Sequence, residues 1–182
     1  MGNRLILLLL IITGALAYAV FEASRLDKKL SQASNSANTV TIRKIPESLV
    51  LADYKSGEAF DFNDYLNKDS KIFVHFWATW CGPCEVEFPE LAEMINHFSG
   101  SDSTLFFLIA VNDDKKKIAK FLNKFSLKNK NVFLLVDDDD QYQRFGTYKM
   151  PESYLFAPSG DLIKRYEGQR PWTQEYLIND LK

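Results

Sequence analysis

Phe76-Trp77-Ala78-Thr79-Trp80-Cys81-Gly82-Pro83-Cys84 closes a strongly apolar run and opens a helix-like one, and it holds the only two cysteines of the 182-residue chain. A Cys-x-x-Cys pair at a strand-to-helix turn is what reversible dithiol chemistry requires. Two intervening residues let the sulfurs meet within one helical turn, and the free amides of that turn favour the thiolate of the first cysteine. Cys81 is therefore expected to be the attacking sulfur, open to solvent, and Cys84 the resolving one. Two cysteines cannot build a multi-bridge framework, and one such pair lacks the second pair that a structural zinc site needs.

The flanking sequence reads as scaffold for this turn. Lys71 to Trp77 is nearly all apolar or aromatic and is expected to be a central strand. Behind the cysteines, Pro83 near a helix start and Val86, Leu91, Met94 and Ile95 at helical spacing predict a helix to Phe98, kinked at Pro89. Further strands are expected at Leu105 to Val111, Asn131 to Val136, Met150 to Phe156 and Leu162 to Tyr166, the last two joined by the turn Ala157 to Asp161. Helices are expected at Lys115 to Phe125, Gln141 to Phe145 and Trp172 to Leu181, the last packing Trp172, Tyr176, Leu177 and Leu181. Ser48 to Ala52 and Ala59 to Phe62 read as a hairpin around Lys55-Ser56-Gly57-Glu58, with a helical turn from Asp61 to Leu66. The alternation predicts an α/β fold whose mixed central sheet has a parallel middle and flanking helices.

The pentapeptide Trp80-Cys81-Gly82-Pro83-Cys84 resembles the active site of the thioredoxin superfamily, and the longer string WATWCGPCEVEFPEL, Trp77 to Leu91, resembles its membrane-anchored TlpA/ResA/DsbE branch. The resemblance implies a thioredoxin-like fold with an N-terminal β-hairpin extension. It also implies thiol-disulfide exchange outside the cytoplasmic membrane, often in cytochrome c maturation. Pro151 is similar to the cis-proline that faces the cysteines in that superfamily, so that Trp80, Gly82, Pro83, Met150 and Pro151 would form the substrate-contacting surface. Glu87, three residues after Cys84, matches the glutamate that the branch carries near its active site, a helical turn away from a thiol whose proton it can take. A solvated carboxylate on the helix face is the alternative. Thioredoxins carry a buried aspartate six residues before the first cysteine; His75 stands there and is expected to be a packed strand histidine. Glu152 resembles an acidic residue of some cytochrome-maturation members, where it would meet a basic partner segment.

Composition bounds the rest. With 46% hydrophobic and 14% aromatic residues the chain can bury its own core, and a net charge of −2 removes the electrostatic case for nucleic acid. Asp137 to Asp140 is a plain acidic run without the alternating ligands of a calcium loop and reads as a solvated, strand-terminating turn, and Lys115 to Lys117 reads as an exposed helix start. No metal and no cofactor beyond a Cys81-Cys84 disulfide are expected. From Leu5 to Phe21 no residue is charged, and about 17 residues at 1.5 Å span roughly 25 Å. Residues 1–22 are thus a signal peptide or an uncleaved anchor, with Ala15-Leu16-Ala17 and Ala17-Tyr18-Ala19 as small-residue cleavage sites and the run through Val20 and Phe21 favouring retention. Residues 23–44, small and polar, read as a flexible tether, and residues 45–182 as the thioredoxin-like domain.

The expected protein is an inner-membrane-anchored oxidoreductase facing the periplasm or exterior, or secreted or periplasmic if its N-terminus is cleaved. Its partners would be a disulfide-bearing protein, apocytochrome c or its chaperone first, and a membrane thiol reductant as electron donor. A Cu(I)-binding metallochaperone and a non-catalytic interaction module are the competing readings. Copper titration separates the first, and inertness of the cysteines to thiol reagents the second.

Overall fold

The computed structural model describes residues 14–16, 18–25 and 42–182. The chain divides into two units, Met1–Thr39 and Val40–Lys182. In the first, residues 14–16 and 18–25 are helical. Most of the expected membrane-directed run and of the tether lies outside the described residues. Among those described, no helix is long and apolar enough to cross a membrane.

The second unit is built on a seven-stranded sheet in the order β2-β1-β5-β4-β3-β6-β7. The strands are β1 (Leu51–Asp53), β2 (Ala59–Phe60), β3 (Lys71–Trp77), β4 (Thr104–Val111), β5 (Val132–Asp137), β6 (Glu152–Phe156) and β7 (Leu162–Glu167). The three central strands β3, β4 and β5 run parallel, with Phe73 beside Phe106 and Leu108 beside Leu134. The β1-β2 hairpin adds antiparallel to β5, and β6 and β7 add antiparallel to β3. Parallel neighbours need crossovers, and helices α1 (Gly82–His97) and α2 (Lys115–Leu122) supply them, while α3 (Glu175–Leu181) ends the chain.

A strand covered on both faces has no use for alternating polarity, which is why β3 reads as one apolar run. Its period of two still sorts the side chains. Phe73 and Trp77 join the core with α1, α2 and α3 through Phe88, Leu91, Phe121, Leu177 and Leu181. Ile72, Val74 and Phe76 join a second core with Phe107, Ile109, Tyr154 and Phe156. The second face is closed by 3-10 turns at Phe62–Asp64 and Gln141–Phe145, whose Phe62 and Phe145 are buried in it. His75 lies on the α1 side by the same alternation.

Three packing expectations are corrected. Val86 is 63% exposed, because the buried stripe of α1 runs Cys84, Glu87, Phe88, Leu91 and Ile95 and passes it by. Tyr176 is 57% exposed, and Trp172 is buried ahead of α3, which starts only at Glu175. Asp137 is no solvated residue. It is buried and accepts the backbone N–H groups of Asp139, Gln141 and Tyr142, while Asp138, Asp139 and Asp140 stay exposed.

In the turn from β6 to β7, Gly160 has φ 81°, and a Cβ there would meet a Leu66 methyl at 3.1 Å. Lys44 bridges Asp161, and the Ile45 N–H donates to the Gly160 carbonyl at 3.0 Å, so the chain ahead of β1 runs along this turn.

Candidate active site

Strand β3 ends at Trp77 and delivers the chain to the N-terminus of α1, where Cys81 is the capping residue. Its Sγ accepts the Cys84 N–H at 3.2 Å. Cys81 and Cys84 form a disulfide with their Cα atoms 5.3 Å apart. Pro83 falls in the first turn, where no carbonyl would have claimed its amide. Pro89 lies inside α1, which continues through it to His97.

The two sulfurs are not equally placed. Cys84 is fully buried, and Cys81, expected to be open to solvent, retains 6% exposure in the disulfide form. Trp80, Gly82 and Pro83 around it are exposed. The Trp80 indole N–H donates to the Asn112 carbonyl at 3.3 Å, and the Asn112 side-chain N–H donates to Asp140. Asp113 accepts both the backbone N–H and the hydroxyl of Thr79. The ends of β4 and β5 thus hold the turn that presents Cys81.

The Met150-Pro151 peptide bond is cis. In the antiparallel ladder of β3 with β6, Phe76 pairs with Glu152, so the next step along it sets Trp77 against Pro151. Met150 is half-buried against the core that contains both cysteines. Pro151 is buried, and its carbonyl accepts the Gly168 N–H at 2.9 Å. Among the described residues, the backbone of Met150 has no hydrogen-bond partner. This leaves the Met150 backbone unpaired beside the cis-proline.

Glu87 belongs to the buried stripe of α1 and is 2% exposed, which removes the solvated alternative. The Arg170 backbone N–H donates to its Oε2 at 2.8 Å and the Trp172 indole N–H at 3.0 Å. Burial pushes its carboxyl up to about 7, against the opposing pull of those two bonds and of the Arg170 charge, with Glu90 adding to the rise. His75 is fully buried, and burial holds its imidazole down to about 3. Its Nδ1 lies 2.8 Å from Ser153 Oγ and its Nε2 lies 3.6 Å from Glu87 Oε1.

Glu152 corrects an expectation. Far from facing a partner, it is fully buried and its Oε1 takes the Arg165 Nε–H at 2.6 Å, because the first residue of β6 points into the sheet's covered face. Glu85 is exposed and pairs with Lys124 at 2.8 Å. Arg170, Trp172, Ser153, Asp113 and Arg165 are the contributors to the site that sequence reasoning missed in these roles. The one local signal was Glu87 itself, a carboxylate in an apolar stripe, which demands buried donors from elsewhere. Among the described residues, no three His, Cys, Asp or Glu side chains are gathered as metal ligands.

The sheet, the capped disulfide and the cis-proline loop define a thioredoxin-like protein with an internal redox couple. The Redoxin family model matches residues 32–181, and the chain belongs to that family. It is 28% identical over 177 residues to the thiol-disulfide oxidoreductase ResA of Bacillus subtilis (strain 168), covering 95% of this chain and 87% of the relative. To ResA of Bacillus anthracis it is 29% identical over 188 residues, covering 99% and 96%. Among solved structures, StoA from Bacillus subtilis aligns with a TM-score of 0.57 at 22% identity over 75% of this chain and 97% of that one. A thioredoxin-family thiol:disulfide interchange protein from Chlorobium tepidum aligns with a TM-score of 0.58 at 19% identity, over 77% and 97%. The chain is thus a thioredoxin-superfamily protein of the TlpA/ResA/DsbE kind, and its enzyme class is thiol-disulfide oxidoreductase.

Proposed function

We propose that this oxidoreductase is tethered by its N-terminal apolar segment, faces the outside of the cytoplasmic membrane, and reduces a particular set of protein disulfides. Apocytochrome c, or the chaperone that holds it, is the first substrate to test, and a membrane thiol reductant regenerates the enzyme. The carrying observation is the closed Cys81-Cys84 pair at the mouth of α1, with exposed Trp80, Gly82 and Pro83 on one side and the open backbone of Met150 on the other. The uncharged run Leu5 to Phe21 supports the tether, and Gly82-Pro83 between the cysteines supports the reducing direction.

In the reduced enzyme the Cys81 thiolate, favoured by the free amides and dipole of α1, attacks one sulfur of the substrate disulfide. The substrate S–S bond breaks, a Cys81-substrate bond forms, and the departing substrate thiolate takes a proton. Cys84 then gives its proton to Glu87 and attacks Cys81. The mixed disulfide breaks, the second substrate thiolate leaves, and two electrons have passed from the enzyme, which is left as the Cys81-Cys84 bridge. An extended substrate pairs with the Met150 backbone beside buried Pro151 during the attack.

The deciding experiment traps the mixed disulfide on a Cys84→Ser form of the full chain. Capture of apocytochrome c through its haem-binding cysteines is the expected result. Capture of unrelated proteins alone removes the cytochrome assignment, and a redox potential well above about −200 mV removes the reducing direction.

A further inference from the structure

Two buried polar atoms face each other across 3.6 Å between β3 and α1, His75 Nε2 and Glu87 Oε1, and neither has a hydrogen-bond partner among the described residues. Both side chains are fully shielded from water. Unpaired polar atoms at such depth are costly, so their juxtaposition calls for a reason. The other ends of both groups are fixed. Glu87 Oε2 is saturated by Arg170 N–H and Trp172 Nε1–H, which leaves Oε1 as the oxygen whose surroundings must change when the carboxyl gains or loses its proton. His75 Nδ1 is engaged by the Ser153 hydroxyl, a group able to accept or to donate.

We propose that His75 is the positioning residue for Glu87, a neutral imidazole that exchanges tautomers so that Oε1 has a matched partner in both of its charge states. With Glu87 protonated, a side-chain shift of about half an ångström closes the 3.6 Å gap, Oε1–H donates to the Nε2 lone pair and Nδ1–H donates to Ser153 Oγ. With Glu87 ionised, Nε2–H donates to Oε1 and Nδ1 accepts the Ser153 O–H. The carboxyl gains or loses one proton, and the imidazole carries one throughout. The burial that disfavours imidazolium at His75 keeps the exchange between neutral forms. A fixed donor would serve only the carboxylate, and a fixed acceptor only the acid.

The groups that bear on Glu87 come from every element around it. They are His75 on β3, Ser153 on β6 behind it, the Arg170 amide and charge and the Trp172 indole ahead of α3, and Glu90 and Cys84 on α1 itself. Of these, only the His75-Ser153 pair can reverse its hydrogen-bond polarity toward Oε1, because Arg170 and Trp172 present fixed N–H donors to Oε2. The inference rests on the proposed proton role of Glu87 and adds the device that lets that role operate without water.

The wild-type full chain supplies the first test. Nitrogen-15 imidazole spectra of the reduced protein are expected to show neutral His75 from pH 5 to 9 on the order of the Glu87 titration range, its proton passing from Nδ1 to Nε2 as the pH rises. One unchanged tautomer, or an imidazolium, overturns the inference. In His75→Leu the carboxylate loses a charge-assisted bond and the acid only a weaker neutral one, so the Glu87 carboxyl carbon is expected to titrate about one pH unit or more higher, and the thiol alkylation profile to follow it. On a Glu87→Gln background the same substitution is expected to leave the alkylation profile where Glu87→Gln put it. An unmoved Glu87 midpoint in His75→Leu, with the Glu87→Gln profile altered, overturns the inference alone. An unaltered Glu87→Gln profile overturns the reading of Glu87 and the inference with it.

Discussion

Asp113, just beyond the end of β4, holds Thr79 twice, through the backbone N–H and through the hydroxyl, two residues ahead of Cys81. The turn that carries Cys81 is thus strapped to a neighbouring strand as well as to its own. Asp113→Ala removes both bonds and is expected to destabilise the fold by about 2 kcal/mol and to slow attack on a disulfide substrate while the redox couple survives. Urea denaturation and stopped-flow exchange measure the two effects. Unchanged stability and rate would show that the strap plays no part.

Arg165 reaches a carboxylate that has no exposure at all, and the second oxygen of Glu152 has no partner among the described residues. Removing the cation strands a buried charge, so Arg165→Met is expected to cost about 3–5 kcal/mol. Adding Glu152→Gln to it should recover a large part of that loss. A double-mutant cycle by chemical denaturation reads the coupling, and additivity of the two changes would contradict it.

Trp80 is 61% exposed and rests on Asn112 through one N–H. Because little is buried, Trp80→Ala is expected to leave stability within about 0.5 kcal/mol. Its effect belongs to recognition: the KM for a protein disulfide rises while turnover of a small disulfide reagent holds. Parallel losses with both substrates would place the ring in the chemistry instead.

His75 and Glu87 pull the pH dependence of stability in opposite senses. Burial lowers His75 from 6.5 to about 3, so the folded chain binds fewer protons there and stability falls as pH drops through that window. Burial raises Glu87 from 4.5 to about 7, so the folded chain holds the extra proton and stability falls as pH rises from 4.5 past 7. Where the windows overlap, from about 4.5 to about 6.5, the two slopes cancel. Glu87→Gln is expected to leave stability rising with pH across this interval, and His75→Leu to leave it falling. Denaturation series at several pH values check both signs, and equal slopes in the two variants would refute the opposition.

The strands, the hairpin, the order of elements and the redox pair were legible because each is written locally. A seven-residue strand with five apolar side chains, a Cys-x-x-Cys beyond its end and a Pro ahead of a strand carry their meaning within a few positions. What escaped was set by distant neighbours. Val86 is as apolar as Leu91, and only the path of the buried stripe, fixed by which face of α1 meets β3, puts it in water. The family resemblance makes Glu152 a contact residue, and its actual partner, Arg165, lies 13 positions on across a hairpin. Glu87 finds its donors 83 and 85 residues later, and no periodicity announces a carboxylate pocket assembled at that separation.

The sheet finishes on one side in β2, only two residues long, and on the other in β7, which carries Lys164, Arg165 and Glu167. Neither rim offers the long, flat, uncharged template on which a stranger's backbone could lay itself down. The sheet is thereby spared from seeding fibres along its own margins, and under the proposed function an extended substrate would find its place to pair only at Met150, beside the sulfurs.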